Sequence, residues 1–371
     1  MRVLAGVYNI GIRSALEGGP RANQKGMLMT RQLFAVLLAS VMLAAPMARA
    51  DVVLYGKIYA EVASEQTGNG ATQQTNTTVD DAQNLGRLGV KFDQDLGNGL
   101  TAFGKYEFSL NAPDSSHDFK MRDAFVGLRG SLGSIAMGRF DGAYKTTGGV
   151  NWDPFAFTSL QLAGNGGQSN TNFGNAGFID RAIELRTRDY QDGDTKFSGV
   201  VQYGADDSAA STTTPSKSVL AGIDFSFGGG VEFVYAVAHN GATSTTNSKV
   251  GARAVAGDAT FVVVSENVES GGFDPGGKGD FLTGIFTYQI GNFMWVAELA
   301  DYNSGFTCTG CVPNLPNPPL DVVDASAGTY AVGFRYYWAK NIWTVFGYRS
   351  TESKIDPQDS SAVALGLRYD F

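Results

Sequence analysis

Alternation of apolar and polar residues is the feature that most constrains the fold of this chain. It recurs in segments of about ten residues as far as the C-terminal Phe371. A period of two gives a β-strand two unlike faces, whereas an α-helix shows a period of 3.6 residues. In the first segment Val52 and Leu54 fall on one face, and Lys57 and Glu61 fall on the other. No helical segment of useful length is evident after residue 50, so the sequence predicts an all-β protein.

Short turns rich in Gly, Asn and Asp alternate with long polar connections along the chain. Short turns of this composition are typical of β-hairpins. Seven short turns and eight long loops join sixteen predicted strands. We expect these strands at residues 51–63, 84–94, 100–110, 119–130, 134–140, 181–190, 195–204, 218–227, 231–240, 249–256, 259–267, 280–290, 293–303, 327–338, 342–351 and 361–371.

The strand pattern leaves two architectures open. A soluble β-sandwich of the immunoglobulin or lectin type is also built from short alternating strands. Three features favour a membrane barrel: strands of about ten residues, strictly alternating short and long connections, and many charges on the polar face. Such a face is tolerable when it lines water and costly in a dry core. The sequence therefore predicts a closed 16-stranded antiparallel transmembrane β-barrel that encloses an aqueous channel.

The first 50 residues have the features of a targeting sequence. Arg31 precedes an apolar run at 33–45, and the triplet Ala48-Arg49-Ala50 has the small-x-small form that signal peptidase cleaves. Leaving residues 1–50 out changes the formal net charge from −8 to −13, and so acidic an exported chain is a poor candidate for nucleic-acid binding. The expected organisation is an over-long N-terminal extension at 1–26, a signal peptide at 27–50 and the barrel domain at 51–371.

Six short segments, which follow one another along the chain, carry a resemblance to a known family. They are DVVLYGK at 51–57, GRLGVKF at 86–92, DLGNGL at 95–100, AFVGLRG at 124–130, LGSIAMGR at 132–139 and YDF at 369–371. Together they resemble the general porins of Gram-negative outer membranes, in the beta-proteobacterial branch that includes Neisseria and Bordetella. The resemblance implies an outer-membrane homotrimer of barrels that admits small hydrophilic solutes and ions by passive diffusion. It also implies that Phe371 is the signal read by the barrel assembly machinery.

The third long connection, at 141–180, has no strand pattern of its own and is about 40 residues long. Loops of that length in a compact fold are usually functional, and in similar porins this loop folds into the barrel and narrows it. A disordered surface loop is the alternative, but five large aromatic side chains are costly to leave in water. We expect the loop to be anchored to the wall by Trp152, Phe155 and Phe157, with Phe173 and Phe178. The acidic Pro-Glu-Phe-type segment common in related porins is not evident.

Charges on the polar face predict the selectivity of the channel. The expected inward cations are Lys57, Arg87, Lys91, Lys105, Arg129, Arg139, Arg186, Arg188, Lys196, Arg253, Arg335, Arg349 and Arg368. The expected inward acids are Glu61, Asp93, Glu107, Asp123, Glu184, Asp224, Glu232, Asp301 and Asp370. We expect a basic wall of Lys57, Arg87, Lys105, Arg129 and Arg139 to face the loop acids Asp141 and Asp153. This arrangement predicts a transverse field and a weak preference for anions, unless each cation merely pairs with a neighbouring carboxylate.

Two further features bear on function. Cys308 and Cys311 form a Cys-Thr-Gly-Cys motif in the seventh long loop, where an exported chain is expected to form a local disulfide rather than a metal or redox site. Only His117 and His239 are present, neither in a nucleophile motif, so an enzyme has no support and no cofactor or metal is expected. A substrate-specific channel with a binding track in the lumen remains the alternative to a general pore.

Overall fold

The fold is seen in a computed structural model of the full chain. The described residues are 50–68, 73–82, 85–110, 113, 119–162, 177–205, 217–241, 244–269, 278–307, 322–324, 327–353 and 359–371. The expected N-terminal extension and all of the expected signal peptide but its last residue lie outside these residues, and the first strand begins at Asp51.

Nineteen strands and one helical turn make up the described chain, and all the strands belong to one sheet. In chain order they are β1 (Asp51–Thr67), β2 (Gln74–Asp80), β3 (Arg87–Gly97), β4 (Leu100–Ser109), β5 (Lys120–Gly130), β6 (Gly133–Asp141), α1 (Ala143–Thr146), β7 (Phe178–Thr187), β8 (Tyr190–Asp192), β9 (Thr195–Gly204), β10 (Val219–Phe227), β11 (Val231–Asn240), β12 (Thr245–Ala256), β13 (Ala259–Val268), β14 (Lys278–Ile290), β15 (Phe293–Thr307), β16 (Val322–Asp324), β17 (Ala327–Ala339), β18 (Ile342–Ser353) and β19 (Ser360–Asp370).

The sheet is closed. Each long strand pairs antiparallel with its neighbour in sequence, and β1 pairs with β19 from Lys57↔Asp370 to Thr67↔Ser360. Three strands, β2, β8 and β16, are short additions to the ladder, so sixteen strands span the barrel. The predicted 16-stranded antiparallel barrel is confirmed. We name the two ends of the barrel by their connections. The turn end carries the short turns, and the loop end carries the long loops.

One predicted loop is partly wrong. Residues 64–83 were expected as a long polar connection, but β1 continues to Thr67 and β2 pairs with it from Glu61↔Asp80 to Thr67↔Gln74. β3 then resumes the pairing with β1 from Lys57↔Arg87, and Leu85, just before it, is buried. The sequence of β2, QTNTTVD, lacks a strong apolar face because it lies near the loop end, where no lipid selects one.

On β1 and β19 the two faces of the strands are as predicted. On β1, Leu54 is 63% exposed while Glu61 is 1% exposed. The same contrast recurs on β19, where Val363, Leu365 and Leu367 point outward. An exposed apolar belt on a closed sheet is what a hydrocarbon surrounding requires. No helix among the described residues is long and apolar enough to cross a membrane.

Candidate functional site

The described part of the third long loop, residues 142–162, lies inside the barrel. It starts with α1, whose Ala143 N–H donates to Gln202 Oε1 on β9 at 2.8 Å. Further along, the backbone N–H of Ser159 donates to Glu61 Oε1 on β1 at 3.0 Å. The loop therefore reaches wall strands far from β6, where it begins, as an inward-folded loop must.

Apolar side chains hold the loop against the wall. Phe155, Leu160 and Leu162 are fully buried in a cluster with wall residues that include Tyr59, Val296, Ala331, Trp343 and Val345. Trp152 packs separately against Val262, Val264 and Ile285 on β13 and β14. Phe157 is partly buried at the edge of the first cluster. The structure thus places the side chains of Trp152 and Phe155 against the barrel wall, and that of Phe157 at the edge of the cluster that Phe155 fills. Phe173 lies outside the described residues.

Polar contacts from the wall strengthen this hold. The Tyr144 hydroxyl donates to Glu266 on β13, and Lys249 Nζ lies 4.6 Å from the centre of the Tyr144 ring. Arg349 Nη1 on β18 donates to the main-chain oxygen of Gln161 at 3.1 Å. The three wall residues were not singled out as loop contacts from the sequence, because nothing in a strand pattern shows which lumen residue an inserted loop will meet.

A β-bulge concentrates charge on the wall beside the start of the loop. The register of β4 with β5 shifts between Tyr106 and Phe108, so that Arg122 and Asp123 both oppose Glu107. Both side chains are buried on the lumen side, with residue exposures of 7% and 4%. Strict alternation places only one of two consecutive residues inside, and Arg122 was therefore missed from the sequence.

We name as the basic cluster Lys57, Arg87, Lys105, Arg122 and Lys145. Lys57 belongs to it because it pairs in register with Arg87 on β3. Three carboxylates, Glu107, Asp123 and Asp141, lie among them. The closest contacts are Lys105 Nζ to Asp123 Oδ2 at 2.5 Å, Lys145 Nζ to Asp141 Oδ1 at 2.8 Å, and Arg122 Nε to Glu107 Oε1 at 3.0 Å. Arg87 Nη1 lies 3.6 Å from Glu107 Oε1. Basic groups thus outnumber carboxyl groups in the cluster by five to three, and a further carboxyl group, Asp370 on β19, lies in register with Lys57.

Two buried nitrogen atoms of the basic cluster lack a hydrogen bond. Arg87 Nε and Arg122 Nη2 are buried and have no hydrogen-bond partner among the described residues. Burial lowers the pKa of Lys145 in the loop, and the Asp141 carboxylate opposes that shift. Buried cationic donors without full pairing favour the approach of an anion.

Aromatic rings support the cations of the wall. Lys91 and Lys105 lie 4.5 and 5.9 Å from the centre of the Tyr55 ring. The Arg87 guanidinium lies 5.2 Å from the centre of the Phe157 ring. Phe178, at the start of β7, is surrounded by Arg122, Arg139 and Lys145 at 4.9, 4.4 and 4.8 Å. Rings in these positions restrain long cationic side chains.

Of the other two residues of the expected basic wall, Arg129 lies apart from the cluster and Arg139 borders it. Arg129, near the turn end of β5, pairs with Asp93 at 2.5 Å, and both side chains are 52% exposed. Arg139 sits at a second register shift, between Gly138 and Phe140, and pairs with Asp180 while its Nε donates to the main-chain oxygen of Arg122 at 2.8 Å. The structure therefore brings Lys57, Arg87 and Lys105 together and separates Arg129 from them.

Neither loop acid faces the basic wall from the opposite side, contrary to expectation. Asp141 is the last residue of β6 and belongs to the cluster itself, through Lys145 and Arg122. Asp153, a residue of the loop itself, is buried, and its Oδ1 accepts a hydrogen bond from the Phe155 N–H at 2.6 Å. The positions of these acids depend on the path of the loop, which has no repeating pattern to be read from sequence.

One inward acid was assigned to the wrong face. Asp301 was expected in the lumen, but it shares the outer face of β15 with Trp295 and Leu299, and it pairs in register with the exposed Leu282. Glu298, of opposite parity, faces inward and is 1% exposed. Asp301 lies in the half of β15 nearer the loop end, where a charge on the outer face is cheaper than at mid-membrane.

A cavity of about 740 Å³ lies between the wall and residues 146–151 of the loop. Its lining runs from Lys105, Asp123 and Asp141 to Gly130 and Arg188 at the turn end. Among the cations of the basic cluster only Lys105 lines this space, which continues towards the turn end of the barrel.

The predicted disulfide and the predicted assembly signal are the remaining site predictions. Cys308 and Cys311 lie outside the described residues, so their pairing stays a prediction. Phe371 follows β19 with its side chain 47% exposed, and its main chain exchanges two hydrogen bonds with Gly56, each of 3.0 Å. The described residues contain no group of three or more His, Cys, Asp or Glu side chains that would hold a metal ion.

A family model described as Gram-negative porin matches residues 35–356, most of the chain. The chain belongs to the Gram-negative porin family. This porin is accordingly an outer-membrane β-barrel.

Curated relatives match a shorter part of the porin. A "Major outer membrane protein P.IB" of Neisseria meningitidis serogroup B is 36% identical over 129 residues, which cover 34% of this chain and 38% of the relative. A protein of the same name from Neisseria gonorrhoeae is 34% identical over 143 residues, which cover 37% of this chain and 40% of the relative. The matched part thus spans about two fifths of these relatives.

Solved structures share the fold over most of the chain. An anion-selective porin from Comamonas acidovorans gives a TM-score of 0.63 at 14% identity, covering 87% of this chain and 100% of that one. OmpF of Salmonella typhi, in a complex with daunomycin, gives a TM-score of 0.62 at 19% identity, covering 86% and 97%. At these identities the likeness concerns the barrel alone.

Proposed function

We propose that this porin forms a water-filled channel through the outer membrane, by which small hydrophilic solutes and ions diffuse passively, with a weak preference for anions. The observation that carries the proposal is the basic cluster on the lumen wall, which reaches the cavity through Lys105. Closed sixteen-stranded barrels are wide enough to enclose water, and in the cluster on the lumen wall basic groups outnumber carboxyl groups. The chain acts as a channel and not as an enzyme.

The preference for anions is weak because most of the cations are paired. Glu107 alone contacts Arg87, Lys105 and Arg122 within 3.6 Å. Neighbouring carboxylates cancel much of the field that such cations exert on a passing ion. The remaining excess attracts anions and leaves small cations able to pass.

The test is a planar bilayer containing the detergent-purified protein under a KCl gradient. Stable channels with a reversal potential of the sign for chloride are the expected result. A clearly cation-selective reversal potential would contradict the anion preference while keeping the channel. Persistent absence of current from correctly folded protein would contradict the channel itself.

A substrate-specific channel is the second candidate, and the aromatic support of the cations favours it. Tyr55, Phe157 and Phe178 hold the cations of β3–β6 in fixed positions, and such ordered cations suit an oxyanion better than freely moving ones do. Saturable block of KCl current by one organic anion would support a binding track in the lumen. Current that stays proportional to ion concentration would support the general pore.

The porin is further proposed to be a homotrimer that is inserted by the barrel assembly machinery. The outward Phe371 and the outward apolar residues before it on β19 are compatible with recognition at the C-terminus. Channel closure in three equal steps is expected for a trimer. Loss of membrane insertion in a Phe371→Ser variant is expected if the terminal aromatic is the signal.

A further inference from the structure

The backbone at Phe157 has a conformation that a bulky side chain rarely adopts. Its φ is +66°, in the left-handed region where the Cβ atom crowds the following carbonyl oxygen. Such a conformation persists only where the surrounding structure imposes it, and conformations of this kind cluster at functional sites. The strain therefore indicates that the direction of the Phe157 ring matters to the channel.

Polar groups of the same turn impose this conformation. The N–H of Phe157 donates to the side-chain oxygen of Gln161. The Thr158 hydroxyl donates to the main-chain oxygen of Phe155 at 2.7 Å, and the Gln161 N–H donates to that of Thr158 at 3.1 Å. Thr158 and Gln161 are both buried, so water does not compete for these hydrogen bonds. The turn thus fixes the Phe157 backbone from both sides.

The ring of Phe157 lies against cations, unlike the ring of Phe155. Phe155 is fully buried in the cluster with the wall, whereas Phe157 is only partly buried at its edge. The centre of the Phe157 ring lies 5.2 Å from the Arg87 guanidinium carbon and 5.3 Å from Lys145 Nζ. Lys145 Nζ is also held by Asp141 at 2.8 Å. Arg87 has no carboxylate partner as close, so its position depends more on the ring.

Arg87 is the cation in contact with Glu107 that pairs with it least closely. Lys105 and Arg122 approach the Glu107 oxygens to 3.1 and 3.0 Å. The Tyr55 hydroxyl donates to the same carboxylate at 2.8 Å. Arg87 Nη1 stays at 3.6 Å from it, and Arg87 Nε is buried without a hydrogen-bond partner among the described residues. A guanidinium that is not fully paired attracts an anion more strongly than one that a carboxylate neutralises.

We propose that Phe157 is a positioning residue for anion selectivity: the strained turn holds its ring against Arg87 and keeps that guanidinium from closing on Glu107. The proposal rests on the proposed channel function, since it names what sets the preference for anions. With the ring in place, the charge of Arg87 acts on an anion in the lumen. Without the ring, Arg87 closes on Glu107 and the two charges largely cancel. A contact of this kind changes the ratio of held to released guanidinium by about two- to fivefold.

The experiment compares reversal potentials of the full-length protein in planar bilayers under a KCl gradient. Phe157→Gly removes both the ring and the strain, because glycine adopts a positive φ freely. The ratio of chloride to potassium permeability should fall in this variant, by no more than about fivefold. Phe157→Leu, which keeps apolar bulk without an aromatic face, should behave like Phe157→Gly, and Phe157→Tyr should keep the wild-type ratio. Phe261→Leu is the matched control on the outer face, where Phe261 is exposed, and it should also keep that ratio.

A double-mutant cycle assigns the effect to Arg87. In an Arg87→Gln background, Phe157→Gly should cause no further shift of the reversal potential, because the guanidinium through which the ring acts is absent. An equal shift in both backgrounds would overturn the proposal. A wild-type permeability ratio in Phe157→Leu would overturn it as well, because bulk alone would then be sufficient.

A crystal structure of the Phe157→Gly variant tests the same point without current. Arg87 Nη1 should move from 3.6 Å to within hydrogen-bond distance of Glu107, and a guanidinium that does not move would overturn the positioning role. Silent channels in which Arg87 moves in this way would instead overturn the channel function and leave the positioning role standing. Heat-modifiable mobility on a gel verifies that each variant has folded.

Discussion

Phe155 is the residue through which the hold of the loop on the wall is best tested. Its side chain is fully buried, and its Cζ lies 3.1 Å from the position that a Cβ on Gly333 would take. Replacing a buried phenylalanine with alanine costs about 3–5 kcal/mol. At about 1.4 kcal/mol for each factor of ten, Phe155→Ala should lower the docked-to-released ratio of the loop by about two to four orders of magnitude.

The barrel should survive this change, because the strand ladders do not pass through the loop. The assay is limited chymotrypsin digestion of the folded protein, followed at Tyr144 and Trp152 within the loop. Cleavage follows the population of the open form when opening and closing are fast, so Phe155→Ala should be cut far faster than the wild type. Unchanged heat-modifiable mobility would show that the barrel itself remained folded.

Phe157→Ala is the matched control within the same loop. Phe157 is only partly buried, and its ring contacts the Arg87 and Lys145 cations at 5.2 and 5.3 Å. Each such contact contributes about 0.5–1 kcal/mol when partly exposed, so cleavage should accelerate much less than in Phe155→Ala. Equal cleavage rates in wild type and Phe155→Ala, or a larger effect from Phe157→Ala, would refute the assignment of the main anchor.

Three further predictions concern the wall. Arg122→Gln should move the reversal potential towards cation selectivity by at least about twice the shift of Arg129→Gln. The Arg122 side chain is only 8% exposed, whereas both side chains of the Arg129 pair are 52% exposed and their charges are screened by salt. Equal shifts would contradict a role for burial. Tyr144→Phe should weaken loop docking by about 1.5–3 kcal/mol, since it removes a buried hydrogen bond to Glu266, and unchanged protease sensitivity would contradict this. Gly222→Ala should displace the loop and change the channel recordings, because the added Cβ would lie 2.0 Å from Thr147 Oγ1. Gly284→Ala is the control: its added Cβ would have no neighbouring atom within 4 Å, so this variant should behave as wild type in the same recordings.

The sequence predicts the barrel well because lipid imposes a repeating pattern on each strand. Alternation on β1 and β19 locates both strands within about four residues and assigns both faces correctly. β2 escapes prediction because it lies near the loop end, where its polar residues meet no lipid. Asp301 is misplaced for a related reason, since a charge near that end is tolerated on the outer face.

The candidate site is predicted only where it follows the strand pattern. Lys57, Arg87 and Lys105 fall on regular stretches of strand, and the structure brings them together. Arg122 depends on a bulge, which a two-residue period does not show. Asp153 takes its position from the path of the loop, where it accepts from the Phe155 N–H, and no local pattern encodes that path.

The bulge opposite Glu107 also bears on how densely a barrel can carry charge. Along a regular strand, residues on one face recur about every 6.8 Å, and each additional lumen residue brings with it one that faces lipid. Arg122 and Asp123 are consecutive, with Cα atoms about 3.8 Å apart, and both face the lumen. One inserted residue thus nearly doubles the local linear density of ionic groups on the water side and leaves the apolar surface seen by the bilayer unchanged.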